Sequence, residues 1–297
     1  MNVRCGSYIN LDRSSGRRAA MQAQLAALGL GWVHRLPAVD GAAVPPPAGC
    51  RITAAEHGCF VSHLWAIEAG PADAFGFVFE DDIELSPDLP LLLGDQQLAA
   101  AAHADLVLLD CQPDCSSHVV AQLWRSLERR LCDPAAMLSG AAPRRVNGVD
   151  LVDAAAIFRW GLQAYVVTPA GRPRVSALLR EALQQGPLLA VDLLVGEALR
   201  THRLRGVAVA PFLATPRLAS HDDSTIGPVP GLDTQNLAAA VRRLLFAGPV
   251  DGLETFAGGL LSQPRATSPQ MSLLGKLVGE LVAVEARDGA LVVGQRR

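Results

Sequence analysis

The chain has 297 residues, a formal net charge of −3, and a composition that is 50% hydrophobic and 19% charged. Those values exclude intrinsic disorder, a collagen-like repeat and a small disulfide scaffold, and they leave room for one large domain or two fused halves. Arginine pairs are scattered (Arg17-Arg18, Arg129-Arg130, Arg144-Arg145, Arg242-Arg243) where a nucleic-acid binder would carry a basic stripe, so no nucleic-acid partner is expected. No run reaches the ~18 apolar residues of a membrane span. The opening Met1 to Cys5 lacks the apolar stretch of a signal peptide, and the six cysteines include no CxxC. Reduced thiols and a cytoplasmic location are therefore expected.

In chain order, Val3 to Leu11 reads as a strand, and Ser14-Ser15 can cap a helix that runs to about Leu28 and stops at Gly29. Trp32 to Val39 is a short strand ending in the turn pair Asp40-Gly41. Thr53-Ala54-Ala55-Glu56 is a capping box, opening a helix to about Ala69 with Phe60, Leu64 and Ile67 as its apolar stripe. Phe75 to Phe79 and Asp105 to Asp110 are apolar runs of strand length, each delivering carboxylates at its end. Residues 112–150 yield one helix, from His118 to Leu131. Ala164 to Thr168 is a strand, Arg172 to Gln185 a helix, Asp192 to about His202 a helix, and Gly206 to Phe212 a strand. This alternation predicts an α/β fold with a mainly parallel central sheet flanked by helices over 1–230. Residues 231–297 read as a small C-terminal appendage, with a helix over 236–247 and a hairpin near Asp288-Gly289.

The sharpest local feature is Glu80-Asp81-Asp82, directly after an apolar strand. Parallel α/β sheets bind ligands beyond the carboxyl ends of their strands, and crowded carboxylates invite a hard divalent cation. A solvated acidic turn is the other reading. Asn10, Asp12, Arg13 and Arg17 surround the start of the first helix, where ordinary capping is the first reading of these residues alone and a nucleotide site the second. His57 and His63 lack a histidine partner at i+4, which argues against a zincin-type site. Gly58-Cys59 has no local signature of a cysteine nucleophile, and GxSxG, GxGxxG and P-loop motifs are all absent. Asp192 is either an N-cap or a base in a cleft. The Ser220–Ser224 cluster holds His221, a metal ligand or a surface side chain.

Together these segments resemble glycosyltransferase family 25, the lipopolysaccharide-biosynthesis and procollagen galactosyltransferase group. The likeness rests on Tyr8 to Ser14 with Arg17-Arg18, on Ala38-Val39-Asp40-Gly41, and on Thr53 to Leu64 with Gly58-Cys59-Phe60 and Ser62-His63-Leu64. It continues in Phe79 to Glu84, Gly161 to Tyr165, Val191-Asp192, and Val209-Ala210-Pro211 followed by Ser224-Thr225-Ile226, covering roughly residues 3–227. The resemblance implies a GT-A-like nucleotide-sugar-binding fold, a UDP-sugar donor (commonly UDP-galactose), Mn²⁺ or Mg²⁺, and inversion at the anomeric carbon. Carried onto this chain, it makes Asp82 and Glu80 the metal pair with His221 as a further ligand. Asn10, Asp12, Arg13, Arg17, Glu56, His63, Glu80 and Asp81 become donor-binding residues, and Asp192 the base. The acceptor would be a glycan or lipid-linked oligosaccharide, the latter reached at the cytoplasmic face of the inner membrane; the helix carrying Arg242-Arg243 reads first as an ordinary packing helix and second as a peripheral membrane contact, because its basic face is short. Two alternatives stand beside it: a metal-dependent phosphoesterase using Glu80, Asp81, Asp82 and Asp110, and a non-catalytic nucleotide-binding member.

Overall fold

Alternation at period two makes strands that bury both faces, and four runs in this chain follow it closely. In a computed structural model, which describes residues 2–44, 46–47, 49–114, 116–133, 144–217 and 239–250, β3 (Phe75–Glu80) turns Phe75, Phe77 and Phe79 to one core and Val78 to the other. β5 (Leu106–Leu108), β9 (Ala164–Val167) and β10 (Gly206–Ala210) alternate in the same way. A sheet covered on both faces reads as continuous apolar runs.

The central sheet has seven strands in the order β2-β1-β3-β9-β5-β10-β7, with β1 at Arg4–Asn10, β2 at Val33–Pro37 and β7 at Asp150–Asp153. β1 pairs parallel with β2 and β3, and β10 pairs parallel with β5. β9 is antiparallel to both β3 and β5, and β7 is antiparallel to β10. Five strands thus share one direction and two oppose it. The sheet is mixed and mostly parallel, in keeping with the expected mainly parallel sheet, with the Ala164–Val167 strand and the edge strand β7 running the other way. The α/β class stands.

One face is covered by α2 (Ala54–Glu68), α7 (Arg172–Gln185), α8 (Val191–Arg200) and residues 239–250. The other carries α1 (Ser15–Ala27), α3 (Leu89–Leu92) and α4 (Asp95–Ala101). α5 (Ser117–Arg130) supplies Val119 and Leu123 to the first core and Leu127 to the second. Among the described residues, short elements that the composition did not announce appear after β5 and before β9. β6 (Gln112–Pro113) pairs with β8 (Phe158–Trp160), and β7 is followed by the short α6 (Ala154–Ile157). No helix among the described residues is long and apolar enough to cross a membrane.

The capping box on α2 forms as its spacing predicts: the Thr53 hydroxyl accepts from the Glu56 amide, and Glu56 accepts from the Thr53 amide at 2.7 Å. The far end of α2 is tied by the buried Arg172, whose guanidinium donates to the carbonyls of Ile67, Ala69 and Ala74. Ser14 occupies the cap position of α1 without a side-chain cap bond, unlike the expected serine cap.

Gly41 and Gly58 let α2 lie directly on the loop after β2. A Cβ on Gly58 would stand 2.5 Å from the Val39 carbonyl oxygen and 2.7 Å from the Gly41 nitrogen. Ser62 completes the junction, accepting from the Val39 amide and donating to the Gly58 carbonyl. Gly58→Ala is expected to lower stability by about 1–3 kcal/mol through this backbone clash. A urea midpoint unchanged from wild type would count against the close approach.

The described part of the C-terminal region is not peripheral to the core. Residues 239–244 are helical, and Ala240, Val241, Leu244 and Leu245 join the same apolar core as the sheet. Arg242 and Arg243 are buried, so this helix is the packing helix of the first reading and offers no basic face to a membrane. The hairpin near Asp288-Gly289 and the rest of the 231–297 appendage lie outside the described residues, as do Ser220–Ser224.

Candidate active site at the carboxyl edge of the sheet

Because β1, β3, β5 and β10 point the same way, their carboxyl ends gather along one edge. The amino end of the reversed strand β9 joins them there. The β1–β3 ladder sets Ile9 opposite Glu80, which places Asn10 beside Asp81. Asn10 Nδ2 donates to Asp81 Oδ2 at 2.5 Å and to the Ser14 carbonyl at 3.1 Å. Arg17, on the first turn of α1, reaches Asp81 at 3.3 Å and Asp82 at 3.5 Å.

The acidic triplet is held by backbone on both sides. The Glu80 amide donates to the Gln163 carbonyl at 2.8 Å. Immediately beyond, β4 (Ile83–Leu85) pairs antiparallel with β11 (Ala214–Pro216), and the Arg217 amide donates to the Asp82 carbonyl. The side chains of Asp81 and Asp82 are only 10% and 21% exposed, so the solvated-turn reading fails. Asp82 Oδ1 is buried with no hydrogen-bond partner. Burial and, after it, the Glu80 charge push the Asp82 carboxyl up to about 7, with Arg17 pulling the other way. Burial also raises Asp81, opposed by the Asn10 hydrogen bond and by Arg17. A fixed, partly desolvated carboxylate cluster with an orphaned oxygen suits a cation, since desolvated like charges repel until one is neutralised.

α2 brings a second group of ligands to the same place. Cys59 and His63 are one helical turn apart, at i and i+4, and so share a face. Their Sγ and ring nitrogen, with a Glu80 oxygen, all lie within 4.8 Å of one another. His63 is 1% exposed; its Nδ1 is 3.0 Å from Tyr165 Oη and its Nε2 is 3.3 Å from Glu80 Oε1. Burial first, then the charges of Glu80, Asp192, Asp82 and Glu56, holds the Cys59 thiol well above its ordinary range.

Asp192 faces this cluster from α8. The N-cap of the helix is Ala190, so Asp192 is not the N-cap and sits in the first turn. Its Oδ2 accepts from the Gly161 amide at 3.0 Å and its Oδ1 from the Leu193 amide at 2.9 Å. Burial raises its pKa, these two bonds oppose the rise, and the Glu80 charge adds to it. Two accepted bonds leave lone pairs on both oxygens for a further donor.

The remaining predicted residues are placed as follows. Asp12 is exposed and paired with Arg35, which lowers its pKa; Arg35 also donates to Asn10. Arg13 is exposed and paired with Asp40. Glu56 serves the α2 capping box. His221 lies outside the described residues. Asn10, Arg17, His63, Glu80, Asp81, Asp82 and Asp192 are thus brought together, while Asp12 and Arg13 sit in exposed ion pairs. Asp110, proposed as a phosphoesterase ligand, is fully buried and engaged by Arg242, so that ligand set loses a member.

Sequence reasoning assigned no site role to Cys59, Tyr165 or Gln163, and it considered Arg242 only for packing or membrane contact. The i, i+4 spacing of Cys59 and His63 on a capped helix was visible in the chain, as was a charged pair inside the apolar run Leu237 to Phe246. Arg242 donates to Asp110 at 3.0 Å through Nε and to Gln163 Oε1 at 2.5 Å. Burial brings its pKa down to about 9, with Asp82 and Glu80 opposing, so it remains a cation at neutral pH.

No protein-family model matches the chain, and no curated protein matches it at a significant level.

Proposed function

We propose that this chain is a metal-dependent, inverting glycosyltransferase of the family 25 type. In this reading it moves a hexose, galactose by the resemblance, from a UDP-sugar to a hydroxyl of a bacterial surface glycan such as lipopolysaccharide. The observation that carries the reading is the partly buried Glu80-Asp81-Asp82 cluster at the carboxyl edge, flanked by Arg17 and Asn10, with Asp192 held nearby by the Gly161 amide. The mostly parallel sheet is compatible with the GT-A-like arrangement that the resemblance implies.

Glu80 and Asp82 would hold Mn²⁺ or Mg²⁺, and the orphaned Asp82 Oδ1 fits that assignment. When bound, the cation would offset charge growing on the departing diphosphate. Arg17 neutralises part of the carboxylate charge and orients Asp81 and Asp82. Asn10 fixes Asp81. Asp192 accepts the proton of the acceptor hydroxyl, and its raised pKa makes it a stronger base than a solvated aspartate. The proposed location is cytoplasmic, at the inner membrane when the acceptor is lipid-linked.

The test is a UDP-sugar panel assayed with Mn²⁺, with and without chelator. Transfer or donor hydrolysis is expected, lost on chelation. Asp192→Asn is expected to lower kcat by about 10²–10⁴ with donor affinity little changed, as loss of a general base requires. Failure of every UDP-sugar to bind or turn over would sink the reading, and an Asp192→Asn variant of normal kcat would remove the base.

A further inference from the structure

The oxygen cluster at residues 80–82 and the helix α2 meet at Glu80, but their donor chemistry differs. Asp81 and Asp82 offer only oxygen. α2 offers a thiol and an imidazole on one face, four residues apart, and both face the same Glu80 carboxylate. Sulfur and nitrogen donors select zinc-like ions, whereas all-oxygen sites select Mg²⁺ or Mn²⁺.

We propose that Cys59 Sγ, His63 Nε2 and a Glu80 oxygen form a three-ligand site for a borderline divalent cation of the zinc class, sharing Glu80 with the all-oxygen position at Asp82. The geometry is close to complete. The three ligand atoms lie within 4.8 Å of one another. A tetrahedral zinc sphere places ligand atoms about 3.3–3.8 Å apart, given bond lengths near 2.0–2.3 Å, so modest side-chain rotation closes the set. Three protein ligands leave one position for water or an incoming group, as in catalytic zinc sites.

His63 supplies the independent observation. It is 1% exposed, and Nε2 makes no hydrogen bond, although it points at Glu80. A buried ring nitrogen whose neighbour at 3.3 Å is a carboxylate oxygen outside hydrogen-bond geometry leaves room for a cation to bridge the two. The other nitrogen, Nδ1, is 3.0 Å from the buried Tyr165 hydroxyl. With Nδ1–H donating to Tyr165 Oη, Nε2 carries the free lone pair a metal needs, and the ring orientation is fixed from behind. Tyr165 is therefore a positioning residue. Coordination would displace the Cys59 thiol proton, as a thiolate ligand requires.

The site does not depend on the transferase reading, and it is tested without any activity assay. The full chain, reduced and metal-free, is titrated with Co²⁺ and followed by absorption, then back-titrated with Zn²⁺. The expected result is a cobalt–thiolate charge-transfer band with one equivalent of Co²⁺, bleached by Zn²⁺. Cys59→Ser abolishes the band, His63→Ala weakens Zn²⁺ binding, and Tyr165→Phe weakens it by about 10–100-fold, the usual effect of losing a group that orients a ligand. Cys132→Ser, which alters an exposed thiol, leaves the band in place. Circular dichroism of each variant reports folding. X-ray absorption on the wild-type zinc complex is the second measurement, independent of any variant, and one sulfur in the sphere is expected. A sphere of nitrogen and oxygen alone, no band in wild type, or a band that survives in Cys59→Ser would overturn the site. A cobalt–thiolate band in a protein that turns over no UDP-sugar would retain the site and discard the transferase.

Discussion

Asp82→Asn is expected to abolish metal-dependent activity and at the same time to stabilise the protein, with the stabilisation visible only at neutral and alkaline pH. The folded Asp82 carboxyl is pushed up to about 7 by burial and by Glu80, from an ordinary value of 3.8. The folded state therefore binds the Asp82 proton more tightly than the unfolded state does. A group of this kind adds nothing unfavourable below about pH 4, where both states hold the proton, and weakens the fold progressively until about pH 7. Above that, the ionised carboxylate costs on the order of 2 kcal/mol, allowing for its partial exposure. Removing the charge removes the cost, so Asp82→Asn should melt a few degrees higher than wild type at about pH 8 and together with it at about pH 4. Mn²⁺ should raise the wild-type melting temperature at the higher pH and leave that of Asp82→Asn unmoved. Activity should fall by about 10²–10³ or more, the scale of losing a principal electrostatic group in a transition state. Thermal melts at both pH values check the linkage. A variant less stable than wild type at alkaline pH would mean that Asp82 is not held at a cost.

The second large effect is expected at Arg242. Its guanidinium is 3% exposed and its partner Asp110 is fully buried, at the end of the β5 run. Removing the cation strands a carboxylate in the core, and breaking one partner of a buried pair typically costs about 3–5 kcal/mol. Arg242→Ala should lose that much in chemical denaturation, with the denaturant midpoint falling and the slope unchanged. Adding Asp110→Asn should return part of the loss, because a neutral amide is far cheaper to bury than an unpaired charge. The neighbouring Arg243 is anchored separately, to Glu84, to the carbonyls of Pro216 and Pro249, and over the Phe246 ring at 5.6 Å. The two arginines thus fasten residues 239–250 across the carboxyl edge, one of them against the candidate site. A loss under about 1 kcal/mol for Arg242→Ala would contradict an isolated buried pair.

The chain alone leaves the surroundings of the Arg242-Arg243 pair open. An Arg-Arg pair in a short apolar helix has the same local pattern whether its charges meet a membrane or two carboxylates. The difference lies in Asp110, which is 132 residues away in the chain. Asp110 itself read as a ligand offered at a strand end, because the sequence shows the strand and not what closes over it.

Much of the architecture was legible for local reasons. The capping box at Thr53 and Glu56 is a self-contained exchange of two hydrogen bonds, so it forms wherever that spacing opens a helix. Gly29, at φ 68, ends α1 because only a residue without a Cβ adopts that conformation freely. The strand over 75–80 and its acidic end follow from an apolar run and its boundary. The placement of Asn10 beside Asp81 follows once β1 and β3 pair in register.

The chain alone therefore determined the principal strands and helices of the sheet, the cap of α2, and that a carboxylate cluster ends an apolar strand. Each of these depends on neighbours within one or two turns or on strict alternation. Only the tertiary structure decided the direction of β9, since an apolar run of period two reads the same both ways. It also decided that Asp81 and Asp82 are desolvated, that Arg242 closes on Asp110, and that Cys59, His63 and Glu80 share one point in space. Those outcomes arise from packing between distant segments, which no local pattern encodes.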